Sequence, residues 1–467
     1  MSAAEEGQNT EAGATSIESS SAPAGMRQRV FGLAWPVIAE NFLETMLGIA
    51  DTWLVSHLAI SAIALAGVGV AVQMMQFLLS ALAALSIGAS VLVAQAIGAQ
   101  QFPRACNLAR QSLVWAVVIS IPLALAGFVF SAPIVHLFDL EPQAAEIATS
   151  YMHITMGTVV VLTGLFIGGG VLRGAGDSRT PLIITTIANI INLPLAWGLI
   201  YGQLGLPALG AVGSAWATFI GRAVALVILL VVLWRGRNGI TIRGSGEWKP
   251  NFGMAQQVLG IGVPAALEQI LSAGAFFALT MIVGRLGTDM LAANRIAVNA
   301  LSLAFLPGFG FAVAATALVG QSVGARRIDD GSAVTRIATQ GALIWMTGFS
   351  VILVVFAQQI IRMFTGDAGV IDAGAAALRV MAFSMPPLAI LFVYAGGLRG
   401  VGNTRAPLII FGGGLWAIVL IAALMVNIIN GGLVVVWAVF VVLTPVMAWL
   451  MWRQFRDVVR DFQYRGL

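Results

Sequence analysis

Residues Leu172 to Leu182 read L-R-G-A-G-D-S-R-T-P-L, and 226 positions later (398 − 172) Leu398 to Leu408 read L-R-G-V-G-N-T-R-A-P-L. Q-A-I-G-A from Gln95 recurs as Q-S-V-G-A from Gln321 at the same offset, and P-V-I-A-E from Pro36 recurs as P-A-A-L-E from Pro264 at offset 228 (264 − 36). A chain with this pattern is a tandem duplication, so whatever architecture it adopts must be made twice. Repeats of about half a chain are how many secondary transporters are built.

The solvent of that architecture is a bilayer. With 59% hydrophobic and 9% charged residues, against roughly 25% charged in a soluble domain, the chain cannot clothe a water-facing surface. Twelve apolar runs are expected as helices, near residues 28–54, 61–97, 105–131, 146–171, 181–201, 209–234, 254–284, 289–323, 335–361, 373–397, 407–428 and 431–452. Each is long enough to span the hydrocarbon layer, whose lack of water forces every backbone group into internal hydrogen bonds. The expected fold is an all-α integral membrane protein of twelve transmembrane helices in two parallel six-helix bundles related by a pseudo-twofold axis.

The expected organisation is a disordered tail over 1–25, a first bundle over 26–235, a linker over 236–251, a second bundle over 252–455 and a tail over 456–467. The first apolar run is too long for the core of a signal peptide and is expected to stay in the mature protein. Arginines at 104, 173, 179, 235, 237, 243, 326, 327, 399 and 405, the carboxy-terminal cluster and Lys249 fall at alternate connections. That positive-inside pattern predicts both termini in the cytoplasm and the two R-G-x-G-x-x-R loops on the same side.

Acids are scarce enough to place by elimination. Of the twenty Asp and Glu, Glu40, Glu44, Asp51 and Glu268 fall inside apolar runs, where an uncompensated carboxylate costs ~2.5 kcal/mol or more. At about 100° per residue the first three share one face of the first helix within about 40°, spread over about 16 Å. They are candidates for coupling to a cation, either a proton or a sodium ion held near Asp51 or Glu268. The alternative is neutralisation by an intramembrane arginine: Arg222, Arg295 and Arg379 are available, and Arg295 is the expected partner of Glu268. Asn41, Asn189, Asn192, Gln269, Asn299 and Tyr394 are candidate cavity-lining residues, able to meet a substrate or to glue helices together. Pro36 and Pro264, each four residues before a repeat-related glutamate, are candidate hinges.

Other chemistries lack their parts. The single lysine, Lys249, is followed by proline and cannot complete a phosphate-binding loop. The lone Cys106 excludes an internal disulfide and a cysteine metal cluster, and His57, His136 and His153 lack the spacing of a zinc site or a hydrolase triad. No enzyme, cofactor or nucleic-acid partner is expected.

Together L-R-G-A-G-D-S-R-T-P-L, G-I-A-D-T around Asp51, V-A-Q-A-I-G-A around Gln95, and F-L-P-G-F-G-F with L-V-G-Q in the eighth run resemble the bacterial branch of the multidrug and toxic compound extrusion family. The resemblance covers about residues 28 to 455. It implies two bundles arranged in a V that rock between inward-open and outward-open states, exporting small organic cations against proton or sodium influx. It also implies a bacterial inner-membrane location and a monomer sufficient for a pathway. By position, Asp51 matches the family's first-helix aspartate, Glu268 a seventh-helix glutamate of the NorM-type branch and Asn192 a fifth-helix asparagine. The chain departs at Ala196, where the DinF-type branch carries an aspartate, and between Asp372 and Arg399, where the NorM-type acid is missing. Glu40 and Glu44 are extra. A lipid or lipid-linked glycan flippase of the same superfamily is the competing expectation.

Overall fold

A computed structural model describes residues 23–58, 61–244, 248–429 and 431–465. The first half consists of α1 (Pro23–Ser56), α2 (Ser61–Gly98), α3 (Phe102–His136), α4 (Pro142–Gly157), α5 (Val159–Gly174), α6 (Arg179–Tyr201) and α7 (Val212–Arg235). The second consists of α8 (Phe252–Gly284), α9 (Thr288–Gly324), α10 (Ile328–Val355), α11 (Ala357–Arg362), α12 (Ala368–Ala382), α13 (Met385–Val401), α14 (Arg405–Pro407), a π-turn (Leu408–Gly412), α15 (Gly413–Ile429) and α16 (Leu433–Arg465). Eight stretches are long and apolar enough to cross a bilayer singly, and the bent pairs α4–α5 and α12–α13 make two more. Among the described residues, α1 and α2, 34 and 38 residues long, bring the first half to six long helical segments, the number in the second.

The duplication is visible in packing as well as in sequence. The pairs bend by 51° and 48° at Thr158 and at Phe383–Ser384, positions related by the 226 offset (384 − 158). Pro386 and Pro387 follow the second break. At the first, the hydroxyls of Thr155 and Thr158 turn back onto the carbonyls of Tyr151 and Thr155, a competition with the helical ladder that bends helices. Gly170 and Gly174 of α5 lie against the backbone of Ser86 and Ser90 of α2, and their counterparts Gly396 and Gly400 of α13 lie against Ala312 and Thr316 of α9. Small residues let backbones approach where lipid supplies no hydrophobic drive for helix association.

The halves meet through α1 against α9 and through α2 against both α8 and α9. Gly310 packs on Ala34 and Ile38, Gly320 on Ala94, and Phe31 meets Phe311 edge to face at 5.4 Å. The linker does not hang free between them. Arg110 of α3 donates to the carbonyls of Ile242 and Arg243, while Gln111 bonds the Lys249 carbonyl and the Asn251 amide; residues 245–247 of this segment lie outside the described residues. At the ends, α1 already includes residues 23–25, the remainder of the expected amino tail lies outside the described residues, and α16 continues as helix past 455 to Arg465.

Candidate functional site

Two ion pairs, one per half, stand in the same place in the duplicated architecture. Glu40 on α1, four residues after Pro36, accepts hydrogen bonds from Arg173 Nη2 at 2.7 and 2.8 Å on its two carboxylate oxygens. Glu268 on α8, four residues after Pro264, accepts one from Arg399 Nη2 at 2.5 Å. Both acids are buried, with 8% and 3% of their surfaces exposed. The arginines come from the last turns of α5 and α13, where the helix dipole favours a cation. Arg399, not Arg295, is therefore the partner of Glu268; Arg295 is exposed on α9. Periodicity places a residue on a helix face but says nothing about which neighbour that face meets.

The first half adds a second polar layer. Thr185 Oγ1 donates to Glu40 at 3.4 Å, Asn189 Nδ2 to the Leu43 carbonyl at 3.2 Å and Tyr201 to the Leu54 carbonyl at 2.5 Å. Contacts that advance together mean that α6 runs parallel to α1, with Asp51 between the last two. Asn192, 1% exposed, ties α6 to α7 by donating to Thr218 Oγ1 at 3.1 Å. One turn beyond Thr218, Arg222 acts electrostatically on both Glu44 and Asp51. Tyr151 of α4 also lies within electrostatic reach of Asp51. Two acceptors in this layer, Asp51 Oδ1 and Asn192 Oδ1, are buried without a hydrogen-bond partner. Such groups are costly unless a donor or a cation reaches them.

At the end of the molecule that carries the arginine loops lies a cleft of about 540 Å³, lined from both halves by residues that include Arg29, Gln100, Gly176, Asp177, Arg237 and Gln321. Asp177 Oδ1 accepts from the amides of Arg179 and Thr180, and Oδ2 from Thr180 Oγ1 and Arg237 Nε. Burial pushes this carboxyl up, but the Thr180 hydroxyl and amide and the Arg237 guanidinium prevail and hold it below the usual range.

The MatE family model matches the chain twice, over residues 36–198 and 264–426. The chain belongs to the MatE family. Among its relatives, the probable multidrug resistance protein NorM of Thermotoga maritima is 31% identical over 88% of each chain. The uncharacterized transporter YisQ of Bacillus subtilis is 24% identical over 93% of this chain and 95% of its own. An outward-facing multidrug resistance MATE family transporter of the MOP superfamily superposes with a TM-score of 0.87 at 22% identity, covering 94% of this chain and 97% of that one. A MOP superfamily transporter from Pyrococcus furiosus gives 0.86 at 21% identity over the same shares. The chain is thus a multi-pass membrane transporter with the MATE fold, twelve spans in two halves.

Of the candidate residues in this MatE chain, Glu40, Glu44, Asp51, Asn189 and Asn192 gather where α1, α6 and α7 meet, with Glu44 exposed along α1. Asn41 and Gln269 are half-buried, and Asn299 is exposed. Tyr394 packs edge to face on Phe455 at 5.5 Å, within the second-half core. Pro36 and Pro264 lie inside continuous helices, while the large bends sit in the fourth and tenth spans. Arg173, Arg399, Tyr151 and Thr218 are the participants that sequence reasoning left out. Arg173 and Arg399 carried a usable signal, since they repeat at almost the same offset as Glu40 and Glu268 and carry the opposite charge.

Proposed function

We propose that this protein is a secondary antiporter of the bacterial inner membrane, exporting small organic cations in exchange for a proton or sodium ion, with both termini and the arginine loops in the cytoplasm. One observation carries the reading: Glu40 and Glu268 are each paired with an arginine, whereas Asp51 forms no ion pair among the described residues and keeps a buried carboxylate oxygen without a hydrogen-bond partner, an orphan it shares with Glu268 Oε2. A proton on Asp51, or a sodium ion shared with the Asn192 carbonyl oxygen, satisfies that oxygen. The names of the relatives, multidrug resistance proteins in several bacteria, point to the same substrate class.

The cycle follows from differential binding. With Asp51 charged, the first half attracts an organic cation; a coupling ion arriving from outside neutralises the same charge and releases the substrate outward. Only an ion that binds the two states unequally shifts their balance. Twelve spans in one chain form both halves of a pathway, so a monomer suffices. A lipid-linked glycan flippase needs arginines available to a pyrophosphate, and Arg173 and Arg399 are engaged by glutamates instead.

The test is efflux of a fluorescent organic cation from proteoliposomes under an imposed proton or sodium gradient. Flux that follows one gradient identifies the ion. Absence of flux under both, across a panel of organic cations, contradicts the reading.

A further inference from the structure

The repeated Q-x-x-G-A motif has no part in the ion site, yet it makes a contact between the halves that the duplication repeats. Gln95 Nε2 donates to the Gly400 carbonyl at 3.1 Å, and Gln321 Nε2 donates to the Gly174 carbonyl at 3.0 Å. Gln321 is Gln95 displaced by 226 (321 − 95), and Gly400 is Gly174 displaced by 226 (400 − 174). The two bonds are therefore one contact made twice in opposite senses, each half reaching into the arginine loop of the other.

The acceptors are the kind a helix end leaves over. Gly174 and Gly400 lie in the closing turns of α5 and α13, while the loop amides that follow bond Leu172 and Arg173 in one half and Leu398 and Arg399 in the other. The opposite half supplies the donor that the helix cannot. Close approach is secured by glycine on both sides: a Cβ at Gly98 would run into the Gln321 carbonyl, and one at Gly324 into the Gln95 carbonyl. Arg29 Nη2 donates to Gln321 Oε1 at 3.0 Å and holds that amide in register.

We propose that Gln95 and Gln321, seated by Gly98 and Gly324, form a reciprocal latch that holds the arginine-loop face of the transporter shut, and that both amide bonds break together when that face opens. The proposal rests on the alternating-access reading above. Its consequence is that the latch sets the balance between the two access states without touching substrate or ion. Pseudo-symmetry makes the two glutamines near-equivalent, apart from the Arg29 bond on Gln321.

The test uses full-length protein in nanodiscs with Cys106→Ser, spin-labelled at Arg104→Cys and Arg405→Cys, exposed positions in the two halves. Distances are read by pulsed electron resonance with no substrate or gradient, so the result does not depend on finding a transported compound. Losing one net hydrogen bond of ordinary strength corresponds to about a fivefold shift in an equilibrium. Gln95→Leu and Gln321→Leu are each expected to raise the long-distance to short-distance ratio about fivefold, and the double variant about 25-fold. If the double variant does not purify folded, Gly98→Ala carries the test, because its added methyl pries the same face apart with both amides intact. Distances unchanged in whichever of these variants folds would overturn the latch. Transport activity is a separate readout: a wild type that moves no substrate defeats the antiporter reading, and a shifted distance ratio still establishes the latch.

Discussion

The two halves share a framework and differ in what fills it. Both carry a proline four residues before a buried glutamate, an arginine from the bent span to neutralise it, and glycine contacts at matching positions. Beyond that the chemistry diverges. Glu44 and Asp51 correspond at offset 228 to Ser272 and Leu279; Leu279 is 3% exposed, and the Ser272 hydroxyl turns back onto its own helix. W-A-T-F at Trp216 recurs as W-A-V-F at Trp437, so that Thr218 and Arg222 correspond at offset 221 (437 − 216) to Val439 and Leu443. Among the described residues, the second-half core is one continuous apolar cluster that takes in the start of α1, while the first-half core is divided into four. Under the proposed function, this asymmetry assigns the duplicated ion pair to the framework and the unduplicated polar layer to the coupling.

The largest expected effect is functional and confined to one half. Asp51→Asn removes the unpaired charge and should reduce gradient-driven export by at least about an order of magnitude, with an elution profile and helical circular dichroism like those of wild type. The reciprocal substitution, Leu279→Asp, places a charge inside the buried apolar cluster of the second half; it should lower thermal stability by ~2.5 kcal/mol or more and create no coupling. A Leu279→Asp protein of undiminished stability would break the comparison.

Next in size are the shared pairs. Removing one partner of a buried pair leaves an uncompensated charge and costs about 3–5 kcal/mol, whereas neutralising both costs far less. Arg173→Gln and Arg399→Gln should therefore lower the unfolding midpoint by similar amounts, and adding Glu40→Gln or Glu268→Gln to the respective variant should recover most of the loss. A large recovery in one half and none in the other would show that the pairs are not equivalent.

The smallest effect separates the arginine loops. Asp177 caps α6 and also holds Arg237, while its counterpart Asn403 caps the next helix by accepting from the Ala406 amide at 3.2 Å. Because the folded Asp177 carboxyl is held below its ordinary value, its contribution is complete above about pH 4 and is lost as pH falls through the lower folded value. Hydrogen-exchange protection, taken relative to the intrinsic rate at each pH, should fall at residues 237–242 on acidification through that window, and around 403–406 it should not. Asp177→Asn should abolish the pH response of the first loop; a response that persists would locate the titrating group elsewhere.

Much of this was legible because a bilayer leaves a chain few choices. Repeats, twelve apolar runs and the scarcity of acids sufficed to place Asp51 and Glu268 inside spans. What was not legible is lateral. Arg173 and Arg399 lie beside glycine-rich turns and read as loop charges, although their side chains reach back to α1 and α8. Arg295 has the spacing of a membrane partner and faces away. The bend at Thr158 has no proline to announce it, and the π-turn at Leu408–Gly412 interrupts a span whose counterpart α6 is continuous. Sequence periodicity is a one-helix property; pairing between helices depends on rotations and register that it does not encode.

The proposed function places coupling in the first half alone. It is tested most directly by gradient-driven flux in proteoliposomes, comparing Asp51→Asn with the doubly neutral Glu268→Gln/Arg399→Gln. Flux is expected to disappear in the first and to stay within severalfold of wild type in the second. Coupled flux that survives in Asp51→Asn and is lost in Glu268→Gln/Arg399→Gln would contradict it.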